Sequence, residues 1–215
     1  MDFVTNAFLS LTIGIGGVIG LLRFRKIDYR YHPFLFLVWS ASIQEILSII
    51  ILYRGYSNSV FYNVYSLAEA LLLCWQFRRW EVLKSKLFYR VLQAGLALFW
   101  LVEWLTASRN DFLSFFIIAY SFLVVLLSIT GVNQLLFQDT LPLYRNPVFL
   151  LCLCFILYFG VSALVETFWM TGLKGSKVFR LNVYALLCYI NLLTNLFFAL
   201  AILWMPVRLH YILQS

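Results

Sequence analysis

Four glutamates lie inside long apolar stretches of this sequence: Glu45, Glu69, Glu103 and Glu166. A carboxyl group within a membrane is unfavourable unless it faces the protein interior, a cavity or a partner, so each is a candidate for function. With a rise of about 1.5 Å per residue, all four fall between the middle of the apolar layer and one surface. Carboxyl groups can bind a cation or carry a proton, so the sequence predicts a polar chamber near that surface.

Two further stretches carry polar side chains at helical spacing. Residues at positions i, i+4, i+7 and i+11 share one face of a helix. On these faces lie phenol, carboxylate and amide groups, belonging to Tyr65, Glu69, Gln76, Tyr184, Asn191 and Asn195. Such groups can hydrogen-bond a neutral polar ligand, a cation or a proton, and with the glutamates they form the predicted ligand-binding set. The alternative is that they only link helices, which stabilises a membrane protein by about 1 kcal/mol or less per contact.

The elements that must position these residues are transmembrane helices. Of the 215 residues, 63% are hydrophobic and only 12% are charged, which is far from the composition of a soluble domain. Apolar stretches close to the roughly 20 residues that span a bilayer lie at 3–22, 33–53, 58–77, 88–107, 112–137, 147–170 and 179–205. The predicted fold class is therefore all-α, a seven-transmembrane-helix bundle in a single membrane domain over 1–215.

The distribution of charge predicts the orientation. Eleven of the 16 Lys and Arg residues lie on one side of the predicted bundle: nine in or beside the loops after the first and third stretches, together with Arg145 and Arg208. This side is the cytoplasmic one if the N-terminus is outside and the C-terminus cytoplasmic. In this orientation the chamber faces outward. The net charge of +7 then indicates attraction to anionic lipid, and no soluble surface is left to bind nucleic acid. The expected partner is the lipid bilayer.

Two parts of the sequence match each other at a nearly constant offset. Six residues of the segment 17–37 recur at matching positions 114 residues later, in 131–151, and Asn-Val-Tyr at 63–65 recurs 119 residues later at 182–184. We therefore predict a duplicated three-helix unit around one extra helix. An offset of four helices makes the two copies parallel, related by an axis along the membrane normal, and a site is expected between them.

The predicted division is repeat one at 1–86, a linker helix at 87–108 and repeat two at 109–215. This three-one-three plan resembles the architecture of the sugar-carrying SWEET proteins, although the Pro-Gln signature of that family is absent from this sequence. It is also similar to seven-helix proteins of bacterial inner membranes, which implies a location in the inner (cytoplasmic) membrane. Neither resemblance assigns a function to a residue.

The cysteines and histidines do not form a pattern that would hold a metal. Cys152 and Cys154 are two residues apart, so their side chains point to different faces of a helix. His32 and His210 lie at the predicted cytoplasmic edge. Phosphate loops, nucleophile elbows and metalloprotease motifs are also absent from the sequence. We expect neither a metal nor another cofactor.

Three functions remain open on the sequence alone. The first is carrier-like binding or transport of a small polar solute, a cation or a proton. The second is a receptor or sensor that signals to a cytoplasmic protein partner through the basic loops. The third and least favoured is an intramembrane enzyme that uses paired glutamates as acid and base.

Gly16 and Gly20 have the spacing that permits close helix packing, either within the chain or in a homo-oligomer.

Overall fold

The structure, a computed structural model, describes residues 3–108, 111–138, 145–170 and 177–208. Its helices are α1 (Phe3–Leu11), α2 (Ile13–Arg23), α3 (His32–Tyr53), α4 (Ser59–Arg79), α5 (Lys86–Thr106), α6 (Ser114–Gln138), α7 (Pro147–Met170) and α8 (Lys177–Trp204). Only Thr12 separates α1 from α2, so the two are one interrupted helix and the described residues form seven helical segments. This confirms the predicted all-helical fold and its number of helices.

Within the described residues, six segments are long and apolar enough to cross a membrane. They are Thr5–Arg23, Tyr29–Tyr53, Lys86–Thr106, Ser114–Phe137, Pro147–Met170 and Ala185–Trp204. The seventh predicted span corresponds to α4, which has the required length but is more polar than the others. Asn63, Ser66, Glu69 and Gln76 make the difference, and all four are buried inside the bundle. The apolar character of α4 is thus reduced by residues that face protein rather than lipid.

The first predicted helix is interrupted at Thr12. The Thr12 hydroxyl donates to the carbonyl of Leu9, and a side chain that bonds the backbone in this way often bends a helix. The glycines that follow allow α2 to approach its neighbours closely. A Cβ on Gly16 would lie 3.4 Å from Ile202, and one on Gly20 would lie 3.0 Å from Leu35. This small-residue pair therefore packs within the chain, against α3 and α8.

Six helices form a closed ring and the seventh lies outside it. Going round the ring, α2 packs on α3, α3 on α4, α4 on α6, α6 on α7, α7 on α8, and α8 again on α1 and α2. The remaining helix, α5, lies outside the ring and packs on α4 and α6. Each ring helix therefore presents one face to the middle of the bundle.

The loop before α3 and the chain after α8 meet at one end of the bundle. Ile27 and Val207 form an isolated antiparallel bridge, and the Arg208 N–H donates to the Lys26 carbonyl at 2.8 Å. The Arg23 guanidinium donates to carbonyls at the C-terminal end of α8, which have no partner within the helix. Many cations gather here: Arg23, Arg25, Lys26, Arg30, Arg78, Arg79, Lys84, Lys86 and Arg208. We call this the basic end.

Candidate functional site

A small cavity lies in the middle of the helix ring, between α1, α3, α4, α7 and α8. Its volume is about 60 Å³, enough for a few water molecules, since one water needs roughly 10–15 Å³ on this measure. Pockets that hold drug-sized ligands are much larger, at about 300 Å³ or more. The polar side chains of this central cavity are Ser10, Gln44, Glu45, Tyr62, Tyr65, Glu69, Tyr158, Asn191, Thr194 and Asn195.

Glu69 is held by two phenols, one on each carboxyl oxygen. Tyr65, one helical turn before it on α4, donates to Oε1 at 2.8 Å. Tyr120 reaches across from α6 and donates to Oε2 at 2.6 Å. Tyr65 lines the cavity, whereas Tyr120 is 2% exposed and lies behind the carboxyl group. Protonation of Glu69 would make one of its oxygens an O–H donor, and the phenol beside that oxygen could then turn to accept from it.

The second carboxyl group of the cavity, Glu45, comes from α3. The hydroxyl of Ser10 on α1 lies beside it and can interact with the carboxyl group. The same hydroxyl lies 2.8 Å from the Asn6 carbonyl, to which it donates. Since a serine has a single proton, it can donate to only one of these two acceptors at a time. The Glu45 contact is therefore able to change with the protonation state of the carboxyl group.

Several polar groups of the cavity have no protein partner among the described residues. These are the amide of Asn191, the hydroxyls of Tyr62 and Tyr158, and the amide nitrogen of Gln44. By contrast, Asn195 donates to the Thr12 hydroxyl at 3.1 Å and so links α8 to the break between α1 and α2. The groups without a partner are available to water, an ion or another small ligand.

A chain of hydrogen bonds leads from the cavity toward the end opposite the basic end. The Gln44 carbonyl oxygen accepts from Ser48 at 2.9 Å. The Ser48 hydroxyl in turn accepts from the amide of Asn58 at 3.0 Å, in the loop between α3 and α4. Polar groups therefore continue from the cavity to this loop along one face of α3.

Aromatic rings close the cavity on the side of the basic end. We call this cluster the aromatic plug, and its members are Phe34, Phe77, Phe155 and Phe198. The Phe155 ring lies 6.1 Å from Phe34, 6.1 Å from Phe77 and 5.7 Å from Phe198, measured between centroids. Phe155 and Phe198 also line the cavity. No member is more than 9% exposed, so the plug forms a dry layer.

The charges of the central cavity are of one sign. Glu45 and Glu69 both line it, and none of the described lining residues is Lys, Arg or His. A buried carboxylate without a compensating cation is strongly unfavourable, so each group must take up a proton or have a cation beside it. Groups of three His, Cys, Asp or Glu that could hold a metal are not found in the described part of the chain.

The structure brings five of the sequence-predicted site residues to the central cavity: Glu45, Tyr65, Glu69, Asn191 and Asn195. Residues from the predicted polar faces of both α4 and α8 therefore line this cavity. The other predicted residues are Gln76, Glu103, Glu166 and Tyr184, and the side chain of Tyr184 lies outside the described part of the structure.

Three predicted residues make structural contacts away from the cavity. Gln76 accepts from the Phe34 N–H at 2.7 Å and donates to the Arg30 carbonyl at 2.8 Å, near the basic end. Glu103, on α5, accepts from the backbone N–H of Phe116 at 2.6 Å and of the residue before it, at the N-terminus of α6. Glu166 accepts from the Ser114 hydroxyl at 2.8 Å. A carboxylate at a helix N-terminus satisfies backbone donors and suits the helix dipole.

Sequence reasoning overlooked four of the residues around the two cavity glutamates: Ser10, Tyr62, Tyr120 and Tyr158. Tyr62 could have been found, because it lies seven residues before Glu69 and so shares its helical face. Tyr120 and Tyr158 are single phenols in very apolar helices, where no spacing distinguishes them from interior aromatic residues. Their role depends on how α6 and α7 are turned, which the sequence does not state.

The chain has no recognisable relative in three comparisons with known proteins: no protein-family model, curated protein or solved structure matches it.

Proposed function

We propose that this protein is a carrier-like membrane protein that binds a small cation or a proton in the central cavity. The observation that carries the proposal is the presence of Glu45 and Glu69 in a space of about 60 Å³ without a neighbouring fixed cation. Of the ligands that the sequence left open, a cation or a proton suits a space of this size better than a small polar solute does, since pockets for drug-sized ligands start at about 300 Å³.

The surroundings of the two glutamates suit either ligand. Carboxylate, amide and phenol oxygens are hard donors of the kind that bind alkali and alkaline-earth cations. Asn191 and Tyr62 have such oxygens without a protein partner in the described part of the chain. The single-proton contacts of Tyr65 and Ser10 with the two carboxyl groups can also reverse when a proton arrives. A cation and a proton would therefore compete for the same groups.

The two ends of the cavity differ, which supports entry of the ligand from one side of the membrane only. Polar groups from Gln44 through Ser48 to Asn58 lead to the end opposite the basic end, while the aromatic plug closes the other side. If the basic end faces the cytoplasm, as the distribution of Lys and Arg favours, the ligand enters from outside. The N-terminus is then outside, and the location we propose is the inner membrane of a bacterium, as implied by the resemblance to seven-helix proteins of that membrane.

The proposed duplication is supported by the order of helices in the ring. Under the predicted correspondence, the first three helical segments map onto α6, α7 and α8. The contact of α4 with α6 then corresponds to the contact of α8 with α1 and α2, and both contacts occur. The linker helix α5 has no counterpart, and it packs outside the ring.

Specific side chains support the same correspondence. The bond from Tyr120 to Glu69 joins α6 to α4. At the offsets of 114 and 119 the matching residues are Asn6 and Cys188, and the Cys188 thiol donates to the Asn6 side-chain oxygen at 3.1 Å. The bond between Cys188 and Asn6 is therefore the counterpart, under this correspondence, of the bond between Tyr120 and Glu69, with a weaker donor and an uncharged acceptor.

Matched glycines support it as well. A Cβ on Gly17 would lie 3.2 Å from the Ser42 hydroxyl, and one on Gly131 would lie 3.2 Å from the Cys152 sulfur. In each proposed copy the glycine lets the first helix approach the second closely. Two such halves can rock against each other around a site between them, which is how many duplicated carriers expose a site to alternate sides.

Flux through proteoliposomes tests the proposal. We expect the wild-type protein to move protons, Na⁺ or K⁺ down an imposed gradient, followed with a pH-sensitive or cation-sensitive dye. The Glu69→Gln variant should lose at least about tenfold of this flux, since it removes the charge while keeping the size. Glu103→Gln is the matched control, because its carboxyl group lies on α5 outside the cavity, and it should retain flux.

Ligand binding gives a second measurement that does not depend on turnover. A cation that binds the folded state raises its melting temperature, so Na⁺, K⁺ or acid should stabilise the wild type in detergent and choline should not. Glu69→Gln should lose the increase. Wild-type flux and stabilisation in a Glu45→Gln, Glu69→Gln double variant would contradict the proposal.

A further inference from the structure

A second polar space lies at the basic end, separate from the central cavity. It is bounded by the turn before α3, the last turns of α4, the loop to α5 and the start of α5. Its volume is about 620 Å³, within the usual range of ligand pockets, about 300–1,000 Å³. We call it the basic recess, and its lining residues are Tyr29, Arg30, Trp75, Arg78, Arg79, Glu81, Lys84 and Tyr89.

The basic recess has a strong excess of positive charge. Four of its side chains are cationic and only Glu81 is acidic. Arg78 is used by the fold, because its guanidinium donates to the carbonyls of Leu83 and Lys84 and so holds the loop to α5. Arg30, Arg79 and Lys84 have no carboxylate partner among the described residues. These three cations are therefore available to an anion.

Arg79 is oriented by two aromatic rings. Its guanidinium carbon lies 5.5 Å from the centre of the Tyr29 ring and 5.8 Å from that of Trp75. Trp75 is itself stacked on Phe36, with centroids 6.1 Å apart. A guanidinium that is stacked on its face still has its N–H groups free at its edge, which is the geometry for two parallel bonds to a phosphate.

The backbone carbonyls around the recess are already hydrogen-bonded and do not prevent an anion from binding. The carbonyls at the end of α4 would repel it, but the loop covers them: the Val82 N–H donates to the Phe77 carbonyl at 3.0 Å, and the Trp80 N–H to the Gln76 carbonyl at 3.0 Å. Glu81 takes a positive φ of 62° to make this turn. The N-terminus of α5 then begins beside the recess at Lys86, and its dipole favours negative charge.

We propose that the basic recess binds a phosphate-bearing anion at the membrane surface. Arg79 forms the two parallel bonds, and Arg30 and Lys84 supply the remaining charge. Basic pockets between membrane helices suit the headgroups of anionic phospholipids, and tyrosine and tryptophan are typical of the interface where headgroups lie. A soluble phosphate compound has the same chemistry. The proposal does not depend on the function of the central cavity.

Binding to delipidated protein in detergent tests this proposal and separates the two sources of phosphate. The lipid probes are phosphatidylglycerol and, as the zwitterionic control, phosphatidylcholine. The soluble probes are inorganic phosphate and glycerol 3-phosphate. Native mass spectrometry counts bound lipid, and calorimetry measures the soluble anions. Binding should weaken as salt is added, because the recess is exposed to solvent.

The variants are chosen to leave the fold intact. Arg79→Gln should lower affinity for the bound phosphate probe about tenfold, and Arg79→Lys should restore only part of it because one ammonium cannot form two parallel bonds. Lys86→Gln is the matched control, a nearby exposed cation that does not line the recess, and should stay within about twofold of the wild type.

Each outcome has a defined meaning. Selective binding of phosphatidylglycerol that falls in Arg79→Gln identifies a lipid headgroup site, and binding of only the soluble phosphates identifies a soluble ligand. If neither class binds the wild type, or if Arg79→Gln and an Arg30→Gln, Arg79→Gln, Lys84→Gln triple variant bind both classes as the wild type does, the proposal is wrong.

Discussion

The central cavity and the basic recess lie on the same helix and have opposite character. Glu69 and Arg79 are ten residues apart on α4, or about 15 Å along its axis. Around Glu69 the polar groups are mostly neutral, some bonded to one another and others without a protein partner among the described residues, and the formal charges are negative. Around Arg79 they are exposed and mainly positive. Charge can therefore accumulate where solvent and lipid headgroups compensate it, whereas each interior charge needs its own partners.

The aromatic plug and Gln76 occupy the boundary between the two regions. The plug excludes water, and Gln76 joins α4 to the start of α3 through two backbone groups. If this boundary separates the regions, variants there should destabilise the protein most, variants at Glu69 less, and variants in the weaker half of the proposed repeat least.

Truncation of the plug is expected to have the largest effect. Phe155→Ala removes a ring that is 0% exposed and whose centroid lies within 6.1 Å of four other phenylalanine rings, so it should lower the free energy of unfolding by about 3–5 kcal/mol. The measurement is denaturant unfolding in detergent micelles. Phe122→Ala is the control, because that ring is 57% exposed on α6 and should change stability little. Equal losses in both variants would show that the plug is not a specially packed layer.

Gln76→Leu should have the next largest effect. The substitution removes a fully buried amide and leaves its two backbone partners, the Phe34 N–H and the Arg30 carbonyl, without these hydrogen bonds. A buried group without a partner costs about 1–3 kcal/mol, and we expect a loss of about 2 kcal/mol in the same unfolding measurement. Gln134→Leu on α6, whose side chain is half-buried, is the comparison and should be nearly neutral. A neutral Gln76→Leu would mean that water replaces the amide there.

The bond between Tyr120 and Glu69 should contribute less than the boundary residues. A double-mutant cycle with Tyr120→Phe and Glu69→Gln isolates the pair from the other contacts of each side chain. We expect a coupling energy of about 1 kcal/mol in unfolding, because the hydroxyl donates to a carboxyl group in a buried place. A coupling near zero would indicate that Tyr120 packs beside Glu69 without positioning it.

Patterns that depend on one helix were predictable from the sequence. The apolar stretches gave the helices nearly to their ends, and the spacing of Tyr65 and Glu69 placed them on one face, where they form a bond. The uses of Gln76 and Glu103 were not predictable, since each binds the backbone of another helix. A polar residue on the right face of a helix can equally line a cavity or fix a neighbouring element, and only tertiary packing decides between them.

The break at Thr12 was not predicted from the sequence, whereas polar residues on α4 were. A hydropathy pattern treats Thr12 as neutral, although its hydroxyl bonds the backbone of α1 and accepts from Asn195. The polar residues of α4 reduce its apolar character, and the ring of helices hides them from lipid. The bond from Asn195 to Thr12 and the burial of the α4 residues both depend on helices that are far away in the chain.

The weakest of these contacts gives the sharpest test of the proposed repeat. Asn6 and Cys188 correspond to Tyr120 and Glu69, but a thiol is a poor donor and an amide oxygen is uncharged. A double-mutant cycle with Asn6→Ala and Cys188→Ala should therefore give a favourable coupling of about 0.5 kcal/mol or less in unfolding, below that of the Glu69 pair. An Asn6→Tyr, Cys188→Glu variant should raise this coupling, because it places the stronger groups of the first contact at the matching positions. If it does not, the two halves differ in backbone geometry at this level, and the interface between α4 and α6 is not repeated between α8 and α1.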